Sequence, residues 1–241
     1  MGQNKAKGAF PVTTQPSATS VGLHTDFHDY YDHQFAASWQ RPERVFERVS
    51  TQGMDRKEMF AYMSALGLTT PRYGIVAHLV PHLREACGVA APFAEVVVYI
   101  DPEAHTGEGK VKVTLDEALA QYPEHLASEH IANTPTGLGR TLRYLRIGKR
   151  QFWLRYTSLD DWRSNCGEVE IEVLCEKKSR SQDEGVAIPY PLFAVDFVHA
   201  GNLLYAIDFN TAPGLRGTGL EKLISAREVY EEIAGAVRGG K

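Results

Sequence analysis

Asp196, Asp208 and Asn210 place oxygen donors inside an otherwise apolar stretch that runs from Phe193 to Gly214. An unpaired charge within such a strand is expensive, so acids that interrupt it demand a compensating cation. Asp208 and Asn210 are two residues apart and therefore share one face of their strand. If Ala200-Gly201-Asn202 forms a three-residue hairpin loop, His199 pairs with Leu203 and Asp196 with Ala206. Asp196 and Asp208 then become diagonal neighbours on one face, roughly 7–8 Å apart at the backbone. Oxygen-only donors suit magnesium, which typically also binds phosphate oxygens. The competing reading makes these acids the outward face of a half-exposed sheet. Three oxygen donors on one face, followed at once by Pro213-Gly-Leu-Arg-Gly-Thr-Gly219, favour a functional role.

Other residues could carry chemistry. His24, Asp26, His28, Asp29, Asp32 and His33 form a dense group, and His24 and His28 have the spacing of one helix face. The same segment reads more readily as a polar and aromatic docking element. His78 and His82 share that spacing, but Pro81 between them disturbs a regular helix. Gly107-x-Gly109 fits either a phosphate-covering loop or an ordinary hairpin turn. Trp153 and Trp162 suit a core or a cleft wall. Cys87, Cys166 and Cys175 show no CxxC spacing and read as free thiols of a reducing cytoplasm.

The elements that must position these residues follow from periodicity and caps. Asp55 and Glu58 form a capping box before Met59, Phe60, Met63 and Leu66, and Gly67 stops the helix expected over 56–66. Val76 to Ala90 is ambiguous and partly helical, with Pro81 at a helix start or break. The β-branched run Val96 to Ile100 predicts a strand, 105–110 a turn, and Val111 to Val113 a second strand. Thr114 and Glu117 cap a short helix ending near Gln121. Strands are expected at Arg140–Ile147 and Gln151–Tyr156, an exposed loop at 176–184, and strands at 192–198 and 203–210. Thr218 and Glu221 cap a final helix carrying Leu223, Ile224, Tyr230, Ile233 and Val237. The pattern is α+β, rich in antiparallel sheet.

A formal net charge of −4 argues against a dedicated nucleic-acid binder. No apolar run approaches the length of a membrane-spanning helix, and Met1 to Ser20 lacks the apolar core of a secretory signal, so the expected location is cytoplasmic. Residues 1–22, rich in small and polar side chains, read as a flexible extension.

Several short segments, in order, resemble the ATP-grasp superfamily, and within it the branch that adds glutamate to a ribosomal protein. Asp208-Phe-Asn210-Thr-Ala-Pro-Gly214-Leu is similar to that branch's Glu-Val-Asn-x-x-Pro-Gly-Leu, and Ala194-Val-Asp196 to its Gly-Val-Asp. Ser128-Glu129-His130-Ile131 resembles the hinge that holds adenine. Gly139-Arg-Thr-Leu-Arg143 resembles Gly-x-Asp-Ile-Arg, and Trp162-Arg163-Ser164-Asn165 resembles Phe-Arg-Ser-Asn.

The resemblance implies an ATP-grasp fold, two α+β subdomains enclosing a nucleotide cleft, with ATP and Mg2+ as cofactors. The implied activity is carboxylate–amine ligation through an acylphosphate, on a small-molecule or peptide carboxylate and amine. The alternative is a catalytically silent ATP-binding module acting with a partner protein. Asp196, Asp208 and Asn210 would hold the metal. Arg163 would stabilise the transferring phosphoryl group, and Arg143 or Arg155 would meet phosphate or substrate carboxylate. Glu129, His130 and Ile131 would hold the base. Gly107, Gly109 and Lys110 would cover the phosphates, with Asn165 nearby.

The implied division is an extension at 1–40, a linker helix and small subdomain at 41–127, and a metal-bearing subdomain at 128–241. Three positions depart from the family pattern. Tyr99 stands where a phosphate-touching lysine is usual, Thr141 replaces an acid, and Asp208 replaces Glu. The usual preceding α/β domain has no counterpart in residues 1–54, so a protein partner is expected to replace it.

Overall fold

The capping box expected at Asp55 forms. Its carboxylate accepts the Glu58 N–H at 2.7 Å, and the Glu58 carboxylate accepts the Asp55 N–H at 3.1 Å, opening helix α1 (Arg56–Ala65). The structure is a computed structural model that describes residues 54–88, 94–101, 108–178 and 190–239. The His24–His33 group and Gly107 lie outside the described residues.

Strand β1 (Tyr73–Ile75) leads directly into helix α2 (Val76–Cys87), which carries Pro81 in its interior instead of starting or breaking there. Val76, Leu79, Val80 and Leu83 are buried on one stripe of this helix. At about 1.5–3 kcal/mol per buried side chain, that stripe outweighs a proline penalty of about 3 kcal/mol. His78 and His82 belong to the same helix: His82 Nδ1 lies 2.7 Å from the His78 carbonyl oxygen. Among the described residues no group of three or more His, Cys, Asp or Glu side chains is placed to hold a metal.

β2 (Glu95–Tyr99), β3 (Lys110–Thr114) and β4 (Leu126–Glu129) join β1 in an antiparallel sheet of order β1-β4-β2-β3. Helix α3 (Leu115–Gln121) begins at the expected Thr114–Glu117 box. It covers one sheet face together with α2, around Val96, Val98 and Ala127. β4 crosses the expected boundary at 127/128, and Glu129 pairs within this first sheet.

The second sheet contains β5 (Arg140–Ile147), β6 (Arg150–Ser158), β7 (Val169–Lys178), β8 (Leu192–Ala200) and β9 (Leu203–Asn210), in the order β7-β6-β5-β8-β9. All its pairings are antiparallel. Residues 176–178 of the expected loop belong instead to β7, which continues through Lys178, and the rest of that stretch lies outside the described residues. Glu176 is held there by Arg150 at 2.7 and 2.9 Å, while Val169, Ile171 and Val173 alternate into the core.

The final helix is also shifted. Thr218 and Glu221 shape only a 3-10 turn at Leu220–Lys222. Helix α4 (Ala226–Gly239) starts after Ser225, whose hydroxyl accepts the Glu228 N–H at 3.3 Å while the Glu228 carboxylate accepts the Ser225 N–H at 2.8 Å. A capping box seven residues downstream therefore sets the start of α4.

The second sheet is covered on both faces. Leu145, Ile147, Phe152, Leu154 and Leu192 pack against Leu215, Tyr230 and Ile233. Phe193, Val195, Phe197 and Phe209 pack against Met59, Phe60 and Met63 of α1, in a core that also takes Val97 and Tyr99 of the first sheet. The architecture is α+β, with α1 bridging two antiparallel sheets. No helix of the described residues is long and apolar enough to cross a membrane.

Candidate active site

The β8–β9 hairpin decides where the acids stand. Ala200 pairs with Leu203, so the turn is the two residues Gly201-Asn202, with Gly201 at φ 60°. This corrects the expected three-residue loop; two-residue turns match strand twist when φ is positive, which glycine permits. The register then shifts between Asp196 and Phe197, leaving Ile207 as the extra residue on β9. As a result Asp196 stands directly opposite Asp208, and Ala194 opposite Asn210. The acids are direct cross-strand partners, not the diagonal neighbours expected.

Two carboxylates so placed repel each other, and the fold answers each with a guanidinium. Arg143 on β5 is the register partner of Asp196 and grips it with both arms, at 2.7 and 2.8 Å. Its guanidinium also lies 4.6 Å from the centre of the Tyr156 ring and donates to the Tyr156 hydroxyl at 3.3 Å. Only 11% of the Arg143 side chain and 14% of the Asp196 side chain are exposed. Burial opposes the charge on Arg143, but Asp196 outweighs it and holds the pKa above the ordinary arginine value.

Asp208 receives its cation from another element. Arg56, the first residue of α1, binds its carboxylate and lies 5.5 Å from the centre of the Tyr99 ring. Burial pushes the Asp208 pKa up, yet Arg56, Lys110 and Arg143 together hold it below the usual carboxylate value.

Lys110 sits directly opposite Tyr99 in the β2–β3 register, so both point to the cleft face of the first sheet. Burial lowers the Lys110 pKa, with Arg56 and Arg163 adding to that effect and Asp208 opposing it. Tyr99 is buried beside it, with its hydroxyl 3.1 Å from Ser128 Oγ.

A cleft of about 1080 Å³ brings most of the expected site residues together. Asp196, Asp208, Asn210, Arg143, Arg163, Asn165 and Lys110 line it, as do Glu129, His130 and Ile131 at its first-sheet edge. Trp162 lines it too, with Lys110 and Lys112 each 5.9 Å and Arg163 5.8 Å from its ring centre.

Three expected residues stand differently. Arg155 alternates to the opposite face of the second sheet from Arg143, pairs there with Glu172, and lines a separate groove. The odd–even alternation of β5 and β6 separates the two arginines. Gly109, at φ 66°, accepts through its carbonyl from the Ile100 and Asp101 N–H groups, closing the hairpin instead of lining the cleft. The Glu129 carboxylate is bound by Arg72, with both contacts at 2.9 Å. Arg163 is in turn gripped by Asp161, at 2.9 and 2.7 Å.

Arg56 is the cleft residue that sequence reasoning missed. Its position after the cap was legible, but its carboxylate lies 152 residues away.

Gly139 shows why the Arg163 turn sits where it does. A Cβ there would lie 2.3 Å from the Ser164 nitrogen and 2.5 Å from the Trp162 carbonyl oxygen, both rigid backbone. Gly139→Ala is therefore expected to cost about 1–3 kcal/mol, as overpacking does, and to move Trp162 and Arg163 away from the cleft. Urea unfolding checks the cost and tryptophan emission the movement; an unchanged midpoint would contradict the close approach.

No protein-family model matches this chain, and no curated protein does. Solved structures similar to it include the D-alanine–D-alanine ligase from Bacillus anthracis complexed with ATP, 15% identical at a TM-score of 0.47, covering 77% of this chain and 67% of that one. A RiPP-associated ATP-grasp ligase from Chryseobacterium gregarium, in complex with ADP and a leader and core peptide, is 13% identical at a TM-score of 0.45, covering 76% and 58%. Macrocyclase MdnC from Microcystis aeruginosa, bound with precursor peptide MdnA, is 14% identical at 0.47, covering 76% and 60%. This chain spans less than two thirds of the latter two.

Proposed function

We propose that this chain is an ATP-dependent carboxylate–amine ligase of the ATP-grasp type, acting through an acylphosphate on an amino acid or peptide. The observation that carries the reading is the directly opposed pair Asp196 and Asp208, set in a two-sheet cleft with Lys110, Arg56, Arg143 and Arg163 around it. The order of motifs along the chain supports it. On this reading β1–β4 with α2 and α3 form the smaller unit, β5–β9 carry the acids, and the expected place of work is the cytoplasm.

The donor chemistry fits magnesium. Two carboxylates and the Asn210 amide oxygen are hard donors on one sheet face, although each carboxylate carries a guanidinium and the amide oxygen accepts the Ala212 N–H at 2.8 Å. Bound magnesium would neutralise phosphate oxygens. The substrate carboxylate would attack the γ-phosphorus as the bond to ADP breaks, and the amine would then displace inorganic phosphate from the acyl carbon. The chain's own residues position these groups and neutralise charge. Lys110, opposite Tyr99, supplies the cation usual at the Tyr99 position. Arg163 and Arg143 face the phosphoryl group, and Trp162 walls the cleft.

Lys110→Met is expected to weaken nucleotide binding about 10- to 100-fold, the equivalent of losing a charge-assisted contact of about 1.5–3 kcal/mol. Tyr99→Phe removes only the hydroxyl and leaves affinity nearly unchanged. Calorimetric titration with magnesium-ATP measures both, and equal losses in the two variants would assign the role to Tyr99.

A second reading, a silent ATP-binding module that acts with a partner protein, is favoured by Tyr99 and by the guanidinium on each acid. Incubation with ATP and a panel of amino acids and peptides, followed by mass spectrometry and phosphate assay, separates the two. ATP binding without phosphate release under any acceptor selects the silent module.

A further inference from the structure

We propose that Arg56 is a built-in competitor for the metal position: its guanidinium occupies Asp208, and a divalent cation gains that carboxylate only by displacing it. This rests on the reading of Asp196, Asp208 and Asn210 as a metal site.

The two acids are held in different ways. Asp196 is bound by both arms of Arg143, on the neighbouring strand of the same sheet, with 14% of its side chain exposed. Asp208 keeps 32% of its side chain exposed and, among the described residues, is bound through Arg56 Nη1 alone. Arg143 is part of the sheet that positions Asp196, whereas Arg56 arrives from a helix outside that sheet. Asp208 is therefore the carboxylate that can change partners.

Arg56 is nonetheless delivered by a well-fixed element. The Asp55–Glu58 box sets the first turn of α1. Met59, one turn on, accepts the Phe209 N–H on its sulfur at 3.3 Å, tying the helix to the residue after Asp208. Arg56 Nη1 also lies 3.4 Å from that sulfur. The guanidinium thus rests between the Tyr99 ring and the Asp208 carboxylate, with 17% of its side chain exposed. Tyr99 and Arg56 form one unit: the residue that replaces the usual lysine provides the ring on which the competing cation lies.

Charge balance gives the consequence. Immediately around the two acids, Arg56, Arg143 and Lys110 outnumber Asp196 and Asp208, so a bare dication at that position meets a local excess of positive charge. A dication that arrives with phosphates brings its own negative charge and offers Arg56 a new partner.

Manganese(II), titrated without nucleotide and followed by the resonance signal of the free ion, tests the competition. Arg56→Gln is expected to bind it at least tenfold more tightly than the unaltered protein, and Arg56→Lys, which keeps the charge, to stay near the unaltered value. Adding Asp208→Asn to Arg56→Gln is expected to abolish the gain. If Arg56→Gln does not fold, Arg56→Met, which keeps the stem against Tyr99 and Met59, replaces it. An affinity that is unchanged or weaker in the folded variant overturns the proposal, as does a gain that survives loss of Asp208. The readout contains no nucleotide, so failure of ATP to bind would sink the ligase reading and leave the manganese result standing.

Discussion

Asp208→Ala is expected to eliminate the rise in melting temperature that magnesium-ATP is expected to give the unaltered protein. A ligand at 100 times its dissociation constant stabilises the folded state by about 2.7 kcal/mol. For a chain of this size each kcal/mol moves the midpoint by about 2–4 °C, so the expected rise is roughly 5–10 °C. Asp208 is the more open of the two acids and the one that can exchange its cation, so its removal takes away the whole metal-dependent part of the rise. Each protein must be compared with its own ligand-free midpoint, because the variant also leaves Arg56 without its carboxylate. Differential scanning fluorimetry suffices. A variant that keeps the full rise places the metal elsewhere, and an unaltered protein that shows no rise at millimolar nucleotide removes the ATP reading itself. The pH dependence has a definite sign. A carboxyl whose folded pKa lies below its unfolded value stabilises the fold fully above the unfolded pKa, and that contribution is lost as pH falls through the folded one. The Arg56–Asp208 contribution is therefore complete at neutral pH and disappears only below about pH 4.

Arg143→Leu is expected to lower stability by about 3–5 kcal/mol, because it leaves the Asp196 carboxylate buried in the sheet without its cation. The double change Arg143→Leu with Asp196→Leu recovers most of that loss, since two apolar side chains on adjacent strands need no counter-charge. The surroundings favour the repair: Leu145 and Leu154 already pack on this face of the sheet. Urea unfolding of the two variants, with slopes compared to exclude a change in the unfolded state, measures both effects. A single substitution costing under about 1 kcal/mol would place the pair among weak surface bridges. A double variant no more stable than the single would show that the strands need the ion pair for their register. The repaired protein is expected to be stable and unable to bind metal.

Local signals were read where neighbouring residues set the outcome. The boxes at Asp55–Glu58 and Thr114–Glu117 bond within three residues and are present as expected. β5 matches its expected span of Arg140–Ile147. Local signals mislead where two of them compete or where packing overrides propensity. Thr218–Glu221 resembled a helix cap, yet Ser225–Glu228 starts the helix. Pro81 looked like a breaker, but the buried stripe of α2 carries it. β7 carries a signal that the expected elements do not include: Val169-Glu-Ile-Glu-Val173 alternates with a period of two.

The sequence alone determined that Asp208 and Asn210 share a strand face with hard oxygen donors, and that Asp196 lies on the partner strand within reach. Those facts depend only on strand periodicity and a short turn. The tertiary structure decided which cation each acid holds. Arg143 meets Asp196 through a strand pairing, and Arg56 reaches Asp208 from a helix 152 residues earlier. Such contacts depend on register and helix docking, which the whole core selects and no short segment encodes. A single bulged residue, Ile207, made the acids direct partners and created the demand for positive charge that Arg143 and Arg56 meet.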